Sequence, residues 1–175
     1  MGGLVSSWPP RVTLIGFILV AVQTGVAPEL RPFGVVIQVV LAFAAAAGAA
    51  SGPSEGAMAG FVLGLMYDLG TGTPLGATAF TMTLAGYAAG WGRQYRIEPK
   101  WWILALLTMA GTTVGESAVP FVRVMIGETD VVSSRMLVVV PVVAVASGIL
   151  SPMFVPLARW CLRIRPTELR LPADA

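Results

Sequence analysis

The chain has 175 residues, of which 56% are hydrophobic and 11% charged, and its formal net charge is +2. A soluble domain normally carries about 25% charged residues, so this composition excludes an ordinary soluble domain and predicts an integral membrane protein. The length suits one domain over residues 1–175 and leaves no room for a separate catalytic domain. The small net charge gives no argument for a nucleic-acid partner.

The residue types that most often carry chemistry are scarce. The sequence has no histidine, and its one cysteine is Cys161. An internal disulfide and a cysteine-based metal cluster are therefore excluded, and the commonest general base is absent. Because we also find no phosphate-binding loop and no nucleophile–base pair, we predict no enzyme, no metal site and no cofactor.

Polar residues and Gly/Pro breaks divide the chain into apolar segments, which predict an all-α membrane protein, a compact bundle of about six transmembrane helices. The first segment resembles a secretory signal but lacks a convincing cleavage site, so we interpret it as a retained helix. The fourth begins near Pro74, since proline suits a first helical turn. In chain order, the predicted spans are 12–26, 33–50, 54–69, 74–91, 100–125 and 135–160.

The first and third spans are near or below the usual length of about 20 residues. One alternative is that a segment is re-entrant. Six full spans are favoured, because they place eight basic residues on the side of the termini and three on the other side. This asymmetry predicts that both termini are cytoplasmic. The eight are Arg11, Arg93, Arg96, Lys100, Arg159, Arg163, Arg165 and Arg170, and the three are Arg31, Arg123 and Arg135.

The tryptophans support the same topology. Indole prefers the headgroup layer of a bilayer, where its ring is apolar and its N–H stays hydrated. With six spans, every tryptophan falls at a predicted cytoplasmic helix end. They are Trp8, Trp91, Trp101, Trp102 and Trp160.

The third span carries Gly56, Gly60, Gly64 and Asp68 at intervals of four. This spacing places them on one stripe of the helix, where glycines allow a second backbone to approach closely. We favour packing inside the bundle over contact with another protein.

Among the charged residues inside the spans, Asp68, Glu116 and Arg123 can all reach the outer half of the bundle. Such residues are costly in membranes and usually face protein. An Asp68–Arg123 or Glu116–Arg123 ion pair is one interpretation, favoured over a proton or ion site because no acidic relay accompanies them. At the C-terminal end of its helix, Asp68 also needs compensation against the helix dipole. Donors from the Gly70–Thr73 turn would fix the corner to the next helix.

The region from the third to the fourth span resembles the rod shape-determining protein MreD family. That family shows a glycine-rich helix ending in aspartate, a short Gly/Ser/Pro loop, a conspicuous glycine and a Gly-or-Ala–Tyr pair near the next helix end. The strong match covers about thirty residues, and the remaining spans add no motif. The matching residues are Gly60, Gly64, Asp68, Pro74, Gly76, Tyr87 and Gly90.

The resemblance implies a non-enzymatic role in the cell-elongation complex of the bacterial inner membrane. Its implied partners are an MreC-like protein, the actin-like MreB filament and peptidoglycan synthases, alongside membrane lipid. The family fold is similar to the substrate-binding S-components of energy-coupling-factor transporters. The alternative function is therefore a small-molecule-binding transporter subunit, which needs a polar cavity of roughly 300 Å³ or more, lined by Asp68, Glu116, Arg123, Thr112 and Thr113.

Overall fold

The computed structural model describes residues 9–29, 34–95, 100–127 and 136–162. These residues form six α-helices and one short 3-10 turn, Gly92–Tyr95, with no strand among them, so the all-helical prediction is confirmed for the described part. In chain order the helices are α1 Pro9–Gly25, α2 Val39–Ser51, α3 Pro53–Thr71, α4 Ala77–Trp91, α5 Trp101–Met125 and α6 Met136–Leu162.

Helix α2 forms the centre of the bundle. Every residue from Val40 to Ala50 is buried, and the helix packs against each of the other five. A helix that is apolar on all sides has no outward face to present. The small side chains of Ala44–Ala47 let the surrounding helices approach it closely.

Two helices begin three or more residues later than predicted. The second span was predicted from residue 33, but Gly34–Gln38 is not α-helical and α2 begins at Val39. The fourth was predicted to begin near Pro74, but α4 begins at Ala77 and Gly76 precedes it as the N-cap. In both places a side chain from the preceding helix binds the backbone N–H groups where the new helix begins, as described below.

Glycines on both α3 and α4 bring these two backbones into close contact. A Cβ atom at Gly60 would lie closer than 3.0 Å to the backbone of Met82, and one at Gly64 would meet the backbone of Ala79 equally closely. A Cβ at Gly56 would collide with both Gly48 of α2 and Gly86 of α4. The stripe therefore faces the interior of the bundle, and side chains larger than hydrogen do not fit there.

The outer surface of the bundle is strongly apolar. Large side chains such as Phe17, Phe121, Leu137 and Ile149 are more than half exposed, which in a soluble monomer would form an unusually large apolar patch. Two helices, α5 and α6, are long and apolar enough to cross a membrane by themselves. At about 1.5 Å per residue they extend roughly 37 and 40 Å, whereas α2 extends only about 20 Å.

One end of the bundle collects tryptophans and arginines, and we call it the tryptophan end. The Arg11 guanidinium lies 4.9 Å from the ring centroid of Trp160, and its Nη1 donates to the Trp160 carbonyl at 3.4 Å. Arg93 donates to the Ala49 carbonyl at 3.4 Å. Burial lowers the pKa of Arg93, as does the charge of Arg159, while Glu55 opposes them. Trp91, Trp101 and Trp102 are exposed here.

The glycine packing makes a direct prediction about stability. Gly60→Ala should lower the free energy of unfolding by about 1–3 kcal/mol, because the new methyl group forces the α3 and α4 backbones apart. The matched control is Gly25→Ala, where a Cβ meets nothing within 4 Å. Thermal unfolding of both purified variants in one detergent checks this. Equal midpoints for the two variants would show that the stripe tolerates a side chain.

Candidate functional site at the corner between helices three and four

Asp68 lies at the end of the bundle opposite the tryptophan end, and among the described side chains there it accepts the most hydrogen bonds. It is 1% exposed, and its carboxylate accepts four hydrogen bonds. Thr73 Oγ1 donates to Oδ1 at 2.7 Å. The backbone N–H groups of Gly76, Thr78 and Ala79 donate at 2.9, 3.2 and 3.3 Å. Asp68 thus joins the end of α3 to the first turn of α4.

This arrangement explains how a negative charge is tolerated at the C-terminal end of α3. The first N–H groups of a helix have no partner within the helix, and the helix dipole there attracts negative charge. The dipole of α3 disfavours the negative charge of Asp68, and the N–H groups at the N-terminus of α4 stabilise it. The predicted bonds to backbone N–H groups are present, but they come from Gly76, Thr78 and Ala79 instead of the Gly70–Thr73 turn, which contributes the Thr73 hydroxyl.

Glycine is required at the corner itself. Gly76 has φ +95°, and Gly72, which ends α3, has φ +73°. Residues with a Cβ atom are strained in this left-handed region. The Gly72 N–H also closes α3 by donating to the Asp68 carbonyl at 3.0 Å. The short loop can therefore turn back tightly enough to bring the start of α4 beneath the Asp68 side chain.

A second side chain caps α2 in the same manner, and it was not identified as a site residue from the sequence. Gln23 of α1 is 5% exposed. Its Oε1 accepts from the Val39 N–H at 2.6 Å, and its Nε2 donates to the Ile37 carbonyl at 3.0 Å. A side-chain amide in a largely apolar span was the available signal, since such residues usually serve a specific partner.

A partly open cavity of about 250 Å³ lies beside this corner. Thr73 and Thr78, both of which donate to Asp68, form part of its wall, together with Pro74. Helix α5 forms another part of the wall. The polar and charged residues that line it are Gln38, Tyr67, Thr73, Thr78, Thr81, Glu116 and Arg123.

Glu116 is the chemically unusual member of the cavity wall. It is 4% exposed, and its Oε1 atom is buried without a hydrogen-bond partner among the described residues. Arg123 lies two turns further along α5 and interacts electrostatically with Glu116. A buried carboxylate oxygen without a donor costs free energy, so the Glu116 carboxylate, which belongs to the cavity wall, is incompletely hydrogen-bonded.

The structure separates the predicted site residues into two groups. Asp68, Pro74, Gly76, Glu116 and Arg123 lie at the corner or around its cavity. The remaining residues lie elsewhere. Gly56, Gly60, Gly64 and Gly90 pack against backbone inside the bundle, and Tyr87 is half exposed on the outer surface of α4.

The cavity does not match the transporter alternative. Its volume of about 250 Å³ is below the roughly 300 Å³ of a pocket for a drug-sized ligand, so it has room only for a smaller group. Asp68, Thr112 and Thr113 do not line it. The two threonines donate instead to carbonyl groups of their own helix, at 2.8 to 3.0 Å. Among the described residues, no group of three or more His, Cys, Asp and Glu side chains could hold a metal ion.

The chain was compared with known proteins. The family model described as rod shape-determining protein MreD matches residues 10–164. This range extends from the start of α1 to just beyond α6 and includes both the corner and the cavity. No curated protein and no solved structure matches the chain.

The bonds at Asp68 predict different effects for two substitutions. Asp68→Asn keeps one side-chain oxygen as an acceptor, whereas Asp68→Ala leaves the N–H groups at the start of α4 without a partner. We expect Ala to destabilise the protein by about 2 kcal/mol more than Asn, at the upper end of N-cap effects. Folded yield and unfolding midpoint in detergent measure this. Equal, complete loss of cell-shape function in two variants that both fold would show instead that the charge itself is required.

Proposed function

The chain belongs to the MreD family of rod shape-determining membrane proteins, and on that premise we propose that it is a non-enzymatic component of the bacterial cell-elongation complex. The single observation that carries this proposal is the family match over residues 10–164, nearly the whole chain. In this role the protein binds other membrane proteins and influences where and when peptidoglycan is synthesised. Its proposed partners are an MreC-like protein, the MreB filament and the wall synthases.

The proposed mode of action is contact through helix surfaces and short loops. Inside the bundle, the described helices pack against each other at glycines, and Asp68 and Gln23 bind the backbone N–H groups at the starts of α4 and α2. What remains for partners is the apolar outer surface, which includes Phe17 and Leu137, and the two ends of the bundle. A partner with a membrane-spanning helix fits such a surface, since helices in lipid associate mainly by close packing.

We further propose a single domain of six spans in the inner membrane, with both termini in the cytoplasm. The tryptophan end then faces the cytoplasm, and the Asp68 corner faces outward. Support comes from Arg11, Arg93 and Arg159, which lie together at the tryptophan end, in agreement with the preference of basic residues for the cytoplasmic side. The other tryptophan and arginines that predict this topology lie outside the described part of the chain; they are Trp8, Arg31, Arg96, Arg135, Arg163, Arg165 and Arg170.

Reporter fusions test the orientation. A reporter active only in the cytoplasm, fused after residue 175, should give a signal, and one fused within residues 128–135 should not, because the connection after α5 faces outward. A reporter active only outside the cytoplasm should give the reverse pattern. An outside signal from the C-terminal fusion would contradict the six-span topology.

Complementation tests the function. A rod-shaped bacterium depleted of its own family member should become round and regain its rod shape when this chain is expressed. The tagged chain should also co-purify the MreC-like protein, and Gly25→Ala should behave as the unmodified chain in both assays. If the chain accumulates folded in the membrane while the cells stay round and no MreC-like protein is recovered, the proposed function is wrong.

A further inference from the structure

The Glu116 carboxylate belongs to the wall of the cavity beside the corner. Glu116 is 4% exposed, and its Oε1 receives no hydrogen bond from the described residues. Thr81, on the cavity wall, donates its hydroxyl at 3.0 Å to the Thr78 carbonyl of its own helix. A buried carboxylate is normally paired or hydrogen-bonded, so a donor placed in the cavity would stabilise the Glu116 carboxylate in its wall.

The charges along the wall define which donor fits. Glu116 and Arg123 are seven residues apart on α5, which is two turns or about 10 Å, and both line the cavity. Arg123 lies two residues from the end of the helix, so the negative group is the deeper one. A ligand that matches these two charges has a positive group near Glu116 and a negative group near Arg123, toward the end of α5.

We propose that the cavity binds a small zwitterionic group in which a primary ammonium lies close to a phosphate or carboxylate. The ammonium donates to Glu116, and the anion accepts from Arg123, whose five N–H donors can serve more than one acceptor. A volume of about 250 Å³ holds a group of this size and excludes an acyl chain. The inference rests on the cavity alone and does not depend on the proposed role in cell elongation.

Two sources supply this chemistry. One is the headgroup of an ethanolamine phospholipid, whose acyl chains would stay in the bilayer against the apolar residues Val119, Val122 and Ile126 at the cavity wall. The other is a free solute such as an amino acid or phosphoethanolamine. Both present the same ammonium and anion, so separate arms of the experiment distinguish them.

Native mass spectrometry of the purified full chain tests the proposal. The protein is delipidated in detergent and offered ethanolamine, choline and glycerol phospholipids with identical acyl chains. Choline keeps the positive charge but has no N–H donor, and the glycerol headgroup has no cation. Since a hydrogen bond to a buried charged group is worth a large factor in binding, we expect the ethanolamine lipid to be retained roughly tenfold better than the other two.

Two variants test whether Glu116 causes the preference for the ethanolamine lipid. Glu116→Gln keeps the size of the side chain and removes its charge, so it should abolish the preference. Glu55→Gln removes an exposed carboxylate near the tryptophan end and should keep it. Unchanged helical circular dichroism and gel-filtration profiles establish that both variants fold.

A third arm uses only the unmodified protein, so its outcome stands even if Glu116→Gln does not fold. Displacement of the ethanolamine lipid by phosphoethanolamine or glycine, or direct binding of either, assigns the soluble source. Ethanolamine preference without such competition assigns the lipid. Equal retention of the three lipids with no binding of either solute would overturn the proposal. A preference that survives in folded Glu116→Gln would also overturn it.

Discussion

The architecture depends on one constraint, that backbone polar groups removed from water must find partners inside the protein. In an apolar medium each unsatisfied group costs several kcal/mol. Helix α2 is only 13 residues long, or about 20 Å against a hydrocarbon layer of about 30 Å. Its first N–H groups therefore lie below the membrane surface, where they need partners from the protein. Gln23 binds the Val39 N–H and the Ile37 carbonyl at this point, where the backbone changes from irregular to helical.

The glycine stripe and the Asp68 cap act together. Gly64 allows α3 to lie against the backbone of Thr78 and Ala79. These are two of the residues whose N–H groups reach Asp68, one helical turn beyond Gly64. A side chain at Gly64 would move the start of α4 away from the carboxylate. Close packing thus positions the hydrogen bonds, and the hydrogen bonds in turn fix the first turn of α4 against α3. The two features form one structural unit.

The sequence predicted the helices and the inward glycine stripe because both leave local signals, in composition and in four-residue spacing. It also identified Asp68, since an acid at a helix C-terminus requires compensation. The start of α2 escaped prediction because Val35–Ile37 is as apolar as the helix that follows, and a helix buried on all sides has no periodicity. Gln23 and the cavity depend on contacts between segments distant in the chain, for example between α1 and α2, which composition does not reveal.

Gln23 and Asp68 each bind backbone N–H groups at the start of a helix in the closely packed interior. The most direct test of these bonds is residue-resolved hydrogen exchange of the full chain in lipid nanodiscs, comparing the unmodified protein with Gln23→Leu. We expect the Val39 and Val40 amides, which both donate to Gln23 Oε1, to exchange slowly in the unmodified protein and much faster in the variant, while the Gly76 amide, which donates to Asp68, is unchanged. Equal exchange at Val39 in both proteins would contradict the claim that Gln23 holds the start of α2.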